Sequence, residues 1–188
     1  MAEEGGQVRK GELDPEAQAR RRAALVQIRQ YGDPVLRMRA KEVDEFDEDI
    51  VRLVVRMQRL MADANGVGLA ANQVGVLRRV LVLVPAPDEE PIALVNPRIV
   101  ERAGETELDD EGCLSLQGVS VPVERAVTVT VEGQDPQGND VRVELTELGA
   151  RVVQHEIDHL DGVLVLDRTT DESRRAALGI LRPRLVLS

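Results

Sequence analysis

Gln154-His155-Glu156-Ile157-Asp158-His159-Leu160-Asp161-Gly162 contains the pattern His-Glu-x-x-His, and the rest of the chain reads outward from it. On a helix, side chains four apart lie one above the other, so His155 and His159 can present both imidazoles to one metal ion. Glu156 lies about 100° round the helix from His155, placed to act on a water at such an ion rather than on the ion itself. The 188 residues include two histidines and one cysteine, and both histidines belong to this motif. A pair of surface histidines on an amphipathic helix is the plain alternative, and the sequence context weighs against it.

Leu148, Val152, His155 and His159 share one helical face, while Val153, Ile157 and Leu160 share another. The histidines are therefore expected to look into a partly apolar cavity, with the second stripe anchored in a core. Thr146 is placed to cap this helix, and Asp161-Gly162 to end it.

Length and composition bound the rest. One domain fits a chain of 188 residues, here expected over 14–188 after a polar, glycine-containing tail at 1–13. Aromatics make up 1%, so the core must be built from Val, Leu, Ile and Ala. A net charge of −10 disfavours DNA and other nucleic acid as main ligand, because phosphate binding needs a basic surface. Apolar runs such as Val80 to Val84 are strand-length, which leaves no membrane span, and no secretory signal is apparent. The expected location is the cytoplasm. A lone cysteine there reads better as a metal ligand than as half of a disulfide.

Taken in order, Asp14-Pro15 opens a helix with an apolar stripe of Ala24, Leu25 and Ile28, broken at Gly32-Asp33-Pro34. Ile50, Leu53, Val54, Met57, Leu60 and Met61 predict a helix from about Phe46 to a glycine stop at Asn65-Gly66. Gly66-Val67-Gly68-Leu69-Ala70-Ala71-Asn72-Gln73 mimics a dinucleotide fingerprint, but it follows a helix where that motif must follow a strand. It suits a backbone that passes close to a ligand, with one amide side chain aimed at it, or else a small-residue turn. Strands are expected at Val80 to Val84, Ile92 to Val95, Val119 to Val123, Val127 to Val131 and Val141 to Leu145, the last two joined as a hairpin. A short strand at Val163 to Asp167 and a helix from Asp171 to about Leu181, stopped by Pro183, complete the chain. The fold class is α+β, with largely antiparallel sheets packed around a central metal-binding helix.

Two histidines leave a catalytic metal site one protein ligand short. No histidine or cysteine follows His159, so the candidate is Cys113 in Glu111-Gly112-Cys113-Leu114-Ser115. Two rivals remain at this point: a His-Glu-x-x-His metallopeptidase using a downstream carboxylate, and a binding module around a structural ion, which lacks a fourth Cys or His ligand.

Three stretches, Gly66 to Gln73, Glu111 to Ser115 and Gln154 to His159, resemble in order and spacing the signature motifs of peptide deformylase. Weaker echoes at Gly32 to Arg37, Asn96-Pro97 and Val123-Glu124-Arg125 extend the likeness over about residues 28 to 170. The family usually carries a proline where this chain has Gln117, so the rim of the cleft is expected to differ. The resemblance implies one iron(II) ion per chain, with Zn2+, Ni2+ or Co2+ as substitutes, held by Cys113, His155 and His159. It implies removal of formyl from the N-terminal formylmethionine of nascent polypeptides. Within that reading Glu156 is the general base and acid, and the Gln73 amide and Leu114 backbone N–H stabilise the oxyanion. Gly68 lets the chain approach the substrate backbone, and Val152, one turn before His155, lines the methionine pocket. Separately from the resemblance, Arg174, Arg175, Arg182 and Arg184 form a basic end that reads first as a solvated helix face and frayed end, with docking on the ribosome surface as the alternative.

Overall fold

The computed structural model describes residues 14–181, so the expected tail at 1–13 and the residues Arg182, Pro183 and Arg184 lie outside the described part. Helix α1 (Pro15–Val26) and helix α2 (Glu48–Asp63) precede a connected sheet of β1 (Gly68–Ala70), β2 (Val80–Leu83), β3 (Ile92–Gly112), β4 (Ser120–Gln134) and β5 (Asp140–Thr146). The strands lie in sequence order, each pairing antiparallel with the next. Helix α3 (Glu147–Leu160) then returns across the sheet, and α4 (Asp171–Leu181) follows. No helix among the described residues is long and apolar enough to cross a membrane.

Strand β2 explains the layering. Its four residues are all fully buried, and alternation sends Val80 and Val82 to one face and Leu81 and Leu83 to the other. On the first face they join Ile50, Val54, Met57, Leu60 and Met61, the inward stripe of α2. On the second they meet Val152, Val153, Ile157 and Leu160 of α3, with Val129 and Val131 of β4. A sheet sandwiched in this way needs an apolar run with no polar alternate in its central strand.

Several expectations need correction. The long strand β3 was not legible beyond Val95, because Arg98 to Asp110 is almost wholly exposed and has no buried face to impose a period. The expected strands at Val119 to Val123 and Val127 to Val131 are one strand, β4. The charged step between them does not interrupt it, since Arg125 turns inward onto Glu111 and Asp158. Val163 to Asp167 is not a strand but contains a 3-10 turn, Val165–Asp167, where the Asp167 carboxylate accepts from the Leu164 N–H. At the end of α2 the left-handed residue is Asn65, with φ of 57°, rather than Gly66. Thr146 and Asp14 occupy N-cap positions without a side-chain capping bond.

Candidate active site

Helix α3 is held tightly across the sheet. Residue 149 faces the Pro85 carbonyl so closely that only glycine fits. Along the helix His155, Glu156 and His159 are 8%, 3% and 1% exposed. Cys113 comes from the loop that follows β3, and its Sγ lies 3.2 Å from His159 Nε2, which lies 3.2 Å from His155 Nε2. The ligand atoms of Cys113, His155 and His159 all fall within 4.8 Å of one another.

The donor set fits one divalent transition ion. Ligand atoms bound at roughly 2.0–2.3 Å to a tetrahedral ion stand about 3.3–3.6 Å apart, close to the two separations of 3.2 Å made by His159 Nε2. The Glu111 carboxylate, 3.1 Å from His155 Nδ1, accepts a hydrogen bond from the N–H at that nitrogen and leaves the Nε2 lone pair for the ion. Three protein ligands leave a position open for chemistry. Without the ion, burial opposes charge on His155, but its hydrogen bonds to Cys113 and Glu111 outweigh this and carry it well above the ordinary histidine value. Burial, with the charge of His155 beside it, presses His159 well below that value.

Glu111 is the residue of this site to which sequence reasoning gave no role. Besides His155 it receives Arg125 through both carboxylate oxygens, at 2.9 and 3.0 Å, and Arg151 at 2.9 Å. Arg125 also reaches Asp158 at 2.6 Å, and Asp158 is closed from outside by Arg168. Position 111, two residues before the cysteine, was the available signal, but its cations come from distant strands and helices.

Glu156 points elsewhere. Its Oε2 is buried without a hydrogen-bond partner among the described residues, and burial pushes its carboxyl up to about 7, His155 pulling against this and Glu111 adding to it. A cavity of about 310 Å³ adjoins it, lined by Gly68, Gly112, Leu114, Val152, His155 and Glu156 among others. Gly68 faces Glu156 directly, and an added Cβ would lie 2.6 Å from Val152 Cγ1.

Gln73 sits in the 3-10 turn Ala71–Val74. Its Oε1 accepts from the Ala70 N–H at 2.8 Å, and its Nε2 donates to Ser115 Oγ at 3.1 Å and lies 3.7 Å from Cys113 Sγ. The carbonyl end is thereby turned away and the NH2 end toward the three-ligand group. The sequence-derived residues therefore gather in one place: Cys113, His155 and His159 as a cluster, Gln73 beside the sulfur, and Gly68, Leu114, Val152 and Glu156 around the cavity.

A sequence profile of the polypeptide deformylase family matches residues 25–175. The chain is 48% identical to a peptide deformylase of Dictyoglomus turgidum, over 81% of this chain and 97% of that one. It is 47% identical to peptide deformylase 1 of Corynebacterium glutamicum, over 85% and 95% of the two chains. Among solved structures, the Thermotoga maritima peptide deformylase superposes with a TM-score of 0.73 at 46% identity, covering 76% of this chain and 96% of that one. A plant peptide deformylase does so with a TM-score of 0.78 at 38% identity, covering 82% and 86%. Sequence, fold and the clustered cysteine and histidines agree, and the chain belongs to the polypeptide deformylase family, metal-dependent hydrolases that remove the N-formyl group from nascent peptides.

Proposed function

We propose that this chain hydrolyses the formyl group of N-terminal formylmethionine on newly made polypeptides, with iron(II) as its native ion and zinc, nickel or cobalt as substitutes. The observation that carries the reading is the Glu156 carboxylate beside the Cys113, His155 and His159 cluster, packed directly against Gly68 at the cavity, with its Oε2 buried and without a hydrogen-bond partner among the described residues. When bound, the ion supplies a Lewis acid that brings the pKa of water toward neutrality. Glu156 accepts a proton from the attacking water and returns it to the amine nitrogen as the carbon–nitrogen bond breaks, giving formate and a free N-terminus. The Leu114 N–H and the Gln73 NH2 group receive the negative charge that grows on the formyl oxygen. Val152 and Leu148 give the methionine side chain an apolar wall.

The peptide backbone has a place prepared for it. Strand β1 is the sheet's edge, and residues 110–112 of β3 pair with β4 alone. Both stretches border the cavity. An extended peptide adding to such an edge is bound through its main chain.

Residues 14–188 are read as one catalytic domain working in the cytoplasm, with nascent formylated chains as substrate. For ribosome docking, Arg175 of α4 remains a candidate, while Arg174 is engaged with the Leu166 carbonyl and Asp171. Co-sedimentation with ribosomes at low and moderate salt, for the intact chain and for a variant with Arg174, Arg175, Arg182 and Arg184 changed to Ser, tests that part. The activity is tested by formate release from a formyl-Met tripeptide, with metal analysis of anaerobically purified protein. Turnover with about one ion per chain is expected. Cys113→Ala, His155→Ala and His159→Ala should each abolish stoichiometric metal binding. Tight active-site metal in Cys113→Ala would overturn the three-ligand reading.

A further inference from the structure

The loop Cys113 to Gly118 carries both the sulfur ligand and the Leu114 N–H, so its conformation sets where that N–H points. The loop turns through a Leu116 N–H to Cys113 carbonyl bond of 3.0 Å. The segment just after α1 clamps it from outside: the Tyr31 N–H donates to the Ser115 carbonyl at 2.8 Å, and the Arg29 N–H to the Gln73 carbonyl at 2.7 Å. Between these two residues Gln30 uses every polar atom of its side chain. Its Nε2 donates to the Ile28 carbonyl at 3.0 Å and to the Leu114 carbonyl at 3.2 Å, and its Oε1 accepts from Gln117 Nε2 at 3.0 Å.

Orientation is the point of this arrangement. Turning the Gln30 amide over would set its oxygen against two carbonyl oxygens and its NH2 against the Gln117 NH2, so the Ile28 and Leu114 carbonyls together with the Gln117 donor hold the donor end on Leu114. Gln117 itself is exposed and reaches Gln30 from the far side of the loop. It ties the loop by hydrogen bonding to a residue 87 positions away.

We propose that Gln30, oriented by Gln117, is a positioning residue for the reaction: it fixes the Leu114 carbonyl, and through the backbone angles of Leu114 it aims the N–H on the other side of that residue at the developing oxyanion. The inference rests on the oxyanion roles given above to Leu114 and Gln73. A donor aimed only at the transition state lowers kcat when loosened and leaves KM unchanged.

The experiment measures kcat and KM for formate release from a formyl-Met tripeptide, metal stoichiometry and thermal midpoint, in the metal-loaded enzyme. The variants are Gln30→Met, Gln30→Glu, Gln117→Met and the double variant Gln30→Met/Gln117→Met. Removing an oxyanion donor outright costs about 100- to 1000-fold in kcat, so loosening one should cost roughly tenfold in either Gln30 variant and roughly threefold in Gln117→Met. KM and metal content should stay unchanged. The double variant should be no slower than Gln30→Met, because Gln117 acts through Gln30. Gln73→Met separates the two levels of the argument. Slow turnover in Gln73→Met with full kcat in both Gln30 variants overturns the latch alone, whereas full kcat in Gln73→Met removes Gln73 from the oxyanion reading, and full kcat in Gln73→Met and both Gln30 variants overturns that reading and the latch together. Losses confined to KM or to metal content, or additive losses in the double variant, also overturn the proposal.

Discussion

Gly68 and Glu156 are in such close register that no side chain can stand between them: an added Cβ on residue 68 would run into the Glu156 carboxylate as well as Val152 Cγ1. The backbone at Gly68 does not take the left-handed conformation, so the glycine is there for space rather than for its φ. Gly68→Ala should therefore leave the fold intact and displace the carboxylate that moves the proton. We expect kcat/KM for formate release to fall about 100-fold, the usual cost of a misplacement near 1 Å, with a thermal midpoint within a few degrees of the parent. A fully active Gly68→Ala enzyme would show that Glu156 has freedom the packing denies it.

Glu156→Gln keeps the shape and loses the proton acceptor. Metal content should be preserved while turnover drops by about 100-fold or more. The pH profile carries a second check. Burial pushes the Glu156 carboxyl up to about 7, and the reacting form is the carboxylate, so activity falls as pH drops through that value. A bound cation favours the carboxylate and moves this acidic limb lower, so kcat/KM should show it at or below about 7. An acidic limb that persists unchanged in the residual activity of Glu156→Gln would assign it to another group.

Glu111 makes a stability prediction. Burial raises its carboxyl, but the hydrogen bonds to His155 and Arg125 outweigh that and hold it at about 2, below its usual 4.5. The folded value lies below the unfolded one, so this stabilisation is present above about 4.5 and is lost as pH falls toward 2. Its size is about 3 kcal/mol at most. In ion-free protein, denaturant melts between these pH values should show the loss, and Glu111→Gln should flatten it. The same variant should weaken metal binding by about 10- to 100-fold, the usual cost of removing a group that orients a histidine ligand.

Val152 is 7% exposed and borders the cavity one turn before His155. Val152→Phe fills part of that space, so the KM for formyl-Met peptides should rise about tenfold or more. An unchanged KM in a stably folded variant places the methionine pocket elsewhere.

Legibility in the sequence followed burial. Helix α2 could be read residue by residue because Ile50, Val54, Met57, Leu60 and Met61 face one core. The outer length of β3 could not, because an exposed strand held by one neighbour imposes no hydrophobic period. Val163 to Asp167 has strand-forming residues, yet Asp167 folds back onto the Leu164 N–H and makes a turn, a local bond that outcompeted propensity. Cys113, His155 and His159 stood out through scarcity, since the chain has no other cysteine or histidine. Glu111 and Gln30 had no such mark among 34 acidic residues and many polar ones. What singles them out is convergence in space: Arg125 and Arg151 on the one, Leu114 and Gln117 on the other.

The edge of β1 at Gly68 and that of residues 110–112, which border one cavity and carry no further strand, amount to a sheet with a strand left out. A guest held there must supply free backbone N–H and carbonyl groups over about three residues, roughly 10 Å of fully extended chain. A protein whose first residues are already committed to helix or sheet has none to offer. Substrate choice thus becomes a matter of timing: the door is open to a chain end while it is still unstructured, and folding of that end closes it.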